Sequence, residues 1–373
     1  MKKCYKLKNI KIKKKNFLSF FIYFIYLKLN LLIRLFFKRN LKYHKKILIF
    51  RTGNLGDIAA TIPLFYEIRK RFKDSKIYLL TSRGKKYLPG ASDFIENQGY
   101  FDEIIEYYPD DKISIREMEK RIKELKPDAL FYIPQEQDSL IKHFKVFLWG
   151  KIMGIKNIYG GMINFIPLFI KEQNKNLEFI PEAERLMILI NEKIKDEEYY
   201  KIDENVMRRI KEIIKKLRIK DFILVHPGAK RKTNKWDEER FIGIINQIKN
   251  KFDVILTGSK DEKEICKMIR EETGCIDLSG ELNIKELIAL LSFSRLLISN
   301  DTGPIHLAPL VKIPVVVIQS ARDFENKWKP FGENVYLIRK NTGCTPCLKE
   351  ECENLICMDI SVEEVLKVVE KII

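Results

Sequence analysis

Short apolar runs alternate with amphipathic stretches along most of this chain. Residues 47–50, 77–81, 104–105 and 129–133 have the length and the branched or aromatic content of buried strands. Between the first two, Ile58, Ile62, Phe65, Ile68 and Phe72 recur at helical spacing. Residues 113–125 and 182–195 read as further helices. After a charged region at 196–204 the alternation resumes. Helices are predicted over 204–217, 237–250, 283–293 and 304–311, with strands at 222–225, 254–257, 296–298 and 315–318. An amphipathic helix over 361–372 closes the chain. Such alternation predicts the α/β class, with parallel sheets covered by helices on both faces. Two Rossmann-like domains, 46–200 and 201–360, are expected to face each other, with ligands in the cleft at the C-terminal ends of the strands. An extension at 1–45 precedes them and a C-terminal helix at 361–373 follows.

The extension has a different texture. Residues 1–16 are polybasic, 17–37 are strongly apolar and aromatic, and further cations follow from Lys38 to Lys46. A secretory signal fits poorly, because no small-residue cleavage site follows the apolar core. A transmembrane helix fits by length, but Lys28 and Arg34 interrupt its second half and both flanks are basic. A helix lying in the membrane interface fits better. Ser19, Asn30, Arg34 and Lys38 fall within an arc of about 100° at helical spacing, and Lys28 would snorkel. The expected partner of this segment is an anionic membrane surface, contacted from the cytoplasmic side as a peripheral or monotopic protein.

Charge supports that division. The 373 residues carry a formal net charge of +18. Fifteen of the Lys and Arg residues lie in 1–46, which hold no Asp or Glu, so the remainder carries only about +3. A basic tail rather than a basic fold argues against a nucleic-acid partner. Four of the seven cysteines, Cys344, Cys347, Cys352 and Cys357, crowd one C-terminal stretch. Four thiolates suffice for a structural zinc, yet the x4 spacings are not those of a common zinc ribbon, and reduced structural thiols or a redox-labile pair are the alternatives.

Several loops carry candidate chemistry. Ser299 to His306 follows an apolar run, and Asp301, Thr302 and Gly303 form the kind of turn that offers backbone N–H groups to a phosphate. His306 is near enough in sequence to share that site, or it is a core histidine. Asp57 lies in a glycine-bearing loop between strand and helix, where its carboxylate faces the cleft or caps a helix starting at Ile58. Lys235, Lys232 and Arg231 offer cations beside Trp236, or form a solvated basic loop. Glu262 follows the strand at 254–257, where an acid accepts hydrogen bonds from ribose hydroxyls or simply complements a helix dipole.

The order of these motifs resembles the ADP-heptose:lipopolysaccharide heptosyltransferase family, glycosyltransferase family 9, of GT-B fold. The residues that carry the resemblance are Gly56-Asp57 through Pro63, His226-Pro227-Gly228-Ala229 with Lys235-Trp236, Gly258 with Glu262, Asp301-Thr302-Gly303 with His306, and Cys344 to Cys347. It spans roughly residues 46–373. It implies an inverting, metal-independent transfer of heptose from ADP-heptose to a lipid-linked lipopolysaccharide acceptor at the cytoplasmic face of the inner membrane. It implies no required cofactor. Asp57 matches the family's general base; Gly56, Lys235, Glu262, Leu282, Asp301, Thr302, Gly303 and His306 match substrate-binding positions, Leu282 through its backbone toward adenine. The family's lysine usually stands two residues before the tryptophan, where this chain has Asn234. Acceptor selectivity is expected to reside in loops at 83–100 and 134–165.

Overall fold

The computed structural model describes residue 37 and residues 41–83, 90–135, 138–161 and 178–373. The proposed membrane segment therefore lies outside the described residues except for Phe37, as do parts of both acceptor loops. The chain forms two compact units, the first ending at Lys195 and the second running from Asp196 to Ile373.

In the first unit, strand β1 (Lys46–Phe50) is followed by helices α1 (Leu55–Ala59) and α2 (Ile62–Arg71), then β2 (Lys76–Ser82) and the short α3 (Ser92–Ile95). Next come β3 (Glu103–Tyr107), α4 (Lys112–Leu125), β4 (Ala129–Tyr132), α5 (Leu140–Ile152), β5 (Asn157–Gly160) and α6 (Glu182–Met187). The strands are parallel in the order β3-β2-β1-β4-β5. β1 is central, and Ile47, Leu48 and Ile49 are fully buried. A strand covered on both faces has no polar side, so its sequence is a continuous apolar run. The Asp128 carboxylate accepts hydrogen bonds from the Lys45 and Lys46 amides, both at 3.1 Å, and fixes the entry to β1.

In the second unit, α7 (Glu204–Lys216) leads to β6 (Phe222–His226), α8 (Glu238–Ile248), β7 (Asp253–Leu256), α9 (Lys263–Thr273) and β8 (Ile276–Asp277). Then follow α10 (Ile284–Leu291), β9 (Leu297–Asn300), β10 (Val315–Gln319), β11 (Val335–Arg339) and α11 (Val362–Val369). These strands too are parallel, in the order β11-β10-β9-β6-β7-β8. Trp236, Phe241, Ile244, Ile298 and Ile318 form its core, and Val365 and Val369 seat α11 in the same cluster. Both sheets reverse their winding direction once, between β1 and β4 and between β6 and β9. Crevices at the carboxyl ends of such strand pairs are where open α/β sheets hold ligands.

Several predicted elements change on inspection. The helix expected from Ile58 is two helices. Pro63 sits at the second position of α2, where it can neither donate to nor pack against the preceding turn, and the first helix ends at Ala59. The helix expected over 182–195 ends early: a 3-10 turn, Ile188–Ile190, closes on Asn191 in the left-handed region at φ 59°. Residues 304–311 form no α-helix but two 3-10 turns, Gly303–His306 and Ala308–Val311. Pro304 and Pro309 each remove a donor there, and Pro309 also blocks the i−4 carbonyl. β5, β8, β11, α3, α5 and α9 were not anticipated by periodicity alone.

β5 ends at Gly160 with φ +89°, where an added Cβ would lie 1.9 Å from the Tyr132 carbonyl oxygen of β4. Gly160→Ala is therefore expected to cost at least about 2 kcal/mol, read as a lowered urea midpoint with an unchanged slope.

Candidate active site

In the first unit, β1 runs out at Arg51. Its guanidinium is fully buried and is shared among three groups. Nη1 donates to the Pro134 carbonyl at 3.0 Å, and Nη2 donates to the Asp57 carbonyl at 3.2 Å and lies 3.4 Å from Glu182 Oε1. Glu182 is held in turn by Arg185, whose Nε and Nη2 donate at 2.6 and 2.7 Å, while Arg185 Nη2 also donates to the Pro134 carbonyl at 3.2 Å. A buried carboxylate between two guanidiniums compensates charges that burial alone would make prohibitive.

Asp57 stands on this platform. It does not cap a helix starting at Ile58; it is the third residue of α1, whose N-cap is Asn54. Its Oδ2 accepts the Asn54 amide at 2.9 Å, and its Oδ1 lies 3.9 Å from Arg51 Nη2. One oxygen is thus spent on the turn and the other is left to act, so capping and chemistry are compatible. Burial pushes the Asp57 carboxyl above its ordinary pKa, opposed by Arg51 and the Asn54 amide. Gly53 makes this packing possible: it has φ +146°, and a Cβ there would lie 2.4 Å from Asp57 Cβ.

In the second unit, the ends of β6, β7, β8 and β9 bring most of the expected donor residues together. His226 Nδ1 and Thr257 Oγ1 are 3.1 Å apart, and His226 Nε2 lies 3.7 Å from Glu262 Oε2. The same Glu262 oxygen accepts the Ser259 amide at 2.7 Å. Burial lowers the His226 pKa, with Glu262 pulling the other way. A Cβ on Gly228 would meet Glu262 Cδ at 2.1 Å, so only glycine allows this approach. The Gly280 amide donates to the Gly258 carbonyl at 2.7 Å, joining the Leu282 loop to the Glu262 loop.

Asn300, at the tip of β9, ties the center of the site. Its Oδ1 accepts the Trp236 amide at 3.0 Å and its Nδ2 donates to the Pro227 carbonyl at 2.7 Å. Asn234 Nδ2 donates to the Asp301 carbonyl at 2.9 Å, so the residue standing where the family has lysine holds the Asp301 turn instead. Lys235 is partly buried beside the fully buried Trp236, whereas Arg231 is committed to Glu350 at 2.9 Å. Thr302 is extended, at φ −149° and ψ 176°, and leads into the turn that ends at the buried His306. Gln319 Nε2 lies 3.4 Å from Asp301 Oδ2, and burial raises the Asp301 pKa to about 6.

Residues 183–357 match the sequence profile of glycosyltransferase family 9 (heptosyltransferase). Over this segment, just under half of the chain, the protein is similar to glycosyltransferase family 9. The lipooligosaccharide heptosyltransferase 2 of Campylobacter jejuni is 27% identical over 158 residues, covering 40% of this chain and 50% of that protein. The chain thus spans about half the length of that curated relative. Two solved structures share the fold. The family 9 glycosyltransferase of Veillonella parvula has TM-score 0.68 at 17% identity, covering 90% of this chain and 99% of that one. The E. coli ADP-heptose lps heptosyltransferase II has TM-score 0.60 at 18% identity, covering 88% and 98%. The fold is accordingly GT-B-like, built from two parallel α/β units.

The family 9 segment holds Lys235, Glu262, Leu282 and the 301–306 turn, while Gly56 and Asp57 precede it. Sequence reasoning passed over Arg51, Glu182 and Asn300. A charged residue directly after an apolar strand was the one available signal for Arg51. Glu182 had none, being 131 residues away from Arg51 in sequence. The four C-terminal cysteines are not gathered into one group in this fold. Cys344 and Cys352 are exposed and Cys357 is buried, with its Sγ 3.8 Å from Ser320 Oγ. No three His, Cys, Asp or Glu residues gather to hold a metal among the described residues.

A carboxyl that binds its proton more tightly folded than unfolded favours the folded state in acid. For Asp301 that advantage is lost as pH rises through about 6. Asp301→Asn should therefore be more stable than the wild type by about 1–2 kcal/mol at pH 8 and nearly equal to it below pH 4, read from paired urea melts.

Proposed function

We propose that this protein is an inverting glycosyltransferase that moves heptose from ADP-heptose to a lipid-linked lipopolysaccharide-core acceptor, working at the cytoplasmic face of the inner membrane. The carrying observation is Asp57, a partly buried carboxylate with one oxygen anchored to the Asn54 amide and a raised proton affinity. The family 9 segment and the lipooligosaccharide heptosyltransferase relative support the sugar and the acceptor class.

In this reading an acceptor hydroxyl gives its proton to Asp57 Oδ1 as its oxygen bonds to the anomeric carbon of heptose. The bond from that carbon to the diphosphate breaks on the opposite face, and ADP leaves. A base with raised pKa takes a proton more readily than an ordinary aspartate. Lys235 offsets the charge that grows on the diphosphate, so the step requires no metal. Thr302, Gly303 and His306 line the diphosphate, with Asp301 setting their turn. Glu262 accepts from the ribose hydroxyls, the backbone at Leu282 meets the adenine, and Gly56 leaves room for the reacting sugar.

Asp57→Asn should lower transfer by about 10²–10⁴-fold while donor affinity changes less than about twofold, measured by product formation and by titration calorimetry. Retained turnover would refute the base assignment. The acid limb of kcat/KM should lie above about pH 4, the range of an ordinary aspartate, because burial raises the Asp57 pKa. Transfer should persist in excess chelator. A nucleotide-sugar panel in which another donor is consumed faster than ADP-heptose would overturn the choice of sugar.

A further inference from the structure

Helix α5 is apolar on both of its sides. His143, Val146 and Gly150 face inward and are buried. On the opposite side Ile141, Leu148 and Ile152 are 67%, 48% and 65% exposed, and Phe144 is 47% exposed. At 100° per residue these four fall within an arc of about 80°, directly across from the buried face. Lys145 and Lys151 stand at the two margins of that arc and are exposed. Residues 140–152 contain no Asp or Glu. Acids approach only at the helix flanks, Glu119 at Trp149 and Asp138 at Lys142, and an apolar stripe margined by lysines is the pattern of a helix that rests on anionic headgroups.

Beside the stripe, α5 also meets the end of the apolar beginning of the chain. Phe37, the last residue of the 17–37 stretch, lies against Phe147 of α5 with ring centroids 5.8 Å apart, and 6.4 Å from Tyr132. Phe37 itself is buried in the hydrophobic core of the first unit. No helix among the described residues is long and apolar enough to cross a bilayer. α5 has 13 residues and is about 20 Å long, which suits a helix lying along a surface.

We propose that the outward face of α5 is a second lipid-docking surface, which seats the first unit on a bilayer bearing anionic lipid. Ile141, Leu148 and Ile152 insert below the headgroups, and Lys145 and Lys151 meet the headgroup charges. The arrangement fixes the orientation of the first unit, which a single flexible attachment would not do. It stands apart from the sugar-transfer reading, because docking requires neither donor nor acceptor.

The test uses the full chain and vesicles of phosphatidylcholine with or without phosphatidylglycerol. Ile141→Glu with Leu148→Glu should weaken vesicle partitioning by at least about tenfold, with an unchanged melting temperature, since both side chains are exposed. Lys145→Glu with Lys151→Glu should weaken binding to the anionic vesicles and leave binding to neutral ones unaltered. In hydroxyl-radical footprinting, Ile141, Leu148 and Ile152 should be labelled in solution and shielded on vesicles. Wild-type partitioning by the Ile141→Glu/Leu148→Glu variant would overturn the proposal. Shielding of the stripe without lipid would also overturn it, showing that residues 17–36 or a second copy of the chain cover this face.

Discussion

A parallel strand satisfies its backbone only while its neighbours run beside it, and at its carboxyl end the chain must leave the ladder and turn. Both sheets of this protein meet that constraint in the same strand order, and each reverses its winding once. The candidate chemistry gathers where it happens. Arg51 and Asp57 follow β1, and the Pro134 carbonyl that holds Arg51 follows β4. His226 ends β6, and Asn300 and Asp301 end β9 and begin its loop. Past the last backbone pairs, side chains hold these loops: Arg51, Asn234 and Asn300 each donate to a loop carbonyl.

The two units solve one local problem alike. Asp57 and Glu262 each occupy the third position of a short helical turn and accept the backbone amide three residues earlier, at 2.9 and 2.7 Å. A carboxylate held this way has lost its rotamer freedom before any ligand arrives. Each then faces a buried nitrogen group, the Arg51 guanidinium for Asp57 and the His226 imidazole for Glu262. The glycines at 53 and 228 are the steric condition for this, since a Cβ at either would fall inside the carboxylate side chain. Glycine here serves close approach rather than flexibility.

The same sequence carries a second layer of information on its outside. A helix buried on one side need not be apolar on the other, and α5 is. It gives the first unit an amphiphilic face, while the sequence concentrates fifteen of its cations and none of its acids in residues 1–46. An enzyme whose acceptor is anchored in lipid gains effective concentration from such a side, independent of any contact with the sugar.

Periodicity and composition determined the α/β class, the two-unit organisation and most strands, because strands buried on both faces of a parallel sheet must be apolar throughout. The glycine-bearing loop at Asp57 and the Asp301-Thr302-Gly303 turn stood out as candidates for the same reason: polar residues soon after such runs have few structural uses. Helix ends and breaks were less legible, since Pro63, Pro304 and Asn191 act through backbone geometry that a hydrophobic pattern does not record. Only the tertiary structure decided that Glu182 compensates Arg51, that Asn234 holds the Asp301 turn, and that the cysteines stay apart. Each depends on contacts between residues distant in the chain, and a burial-driven shift such as that of Asp301 to about 6 exists only once the surrounding loops have closed over it.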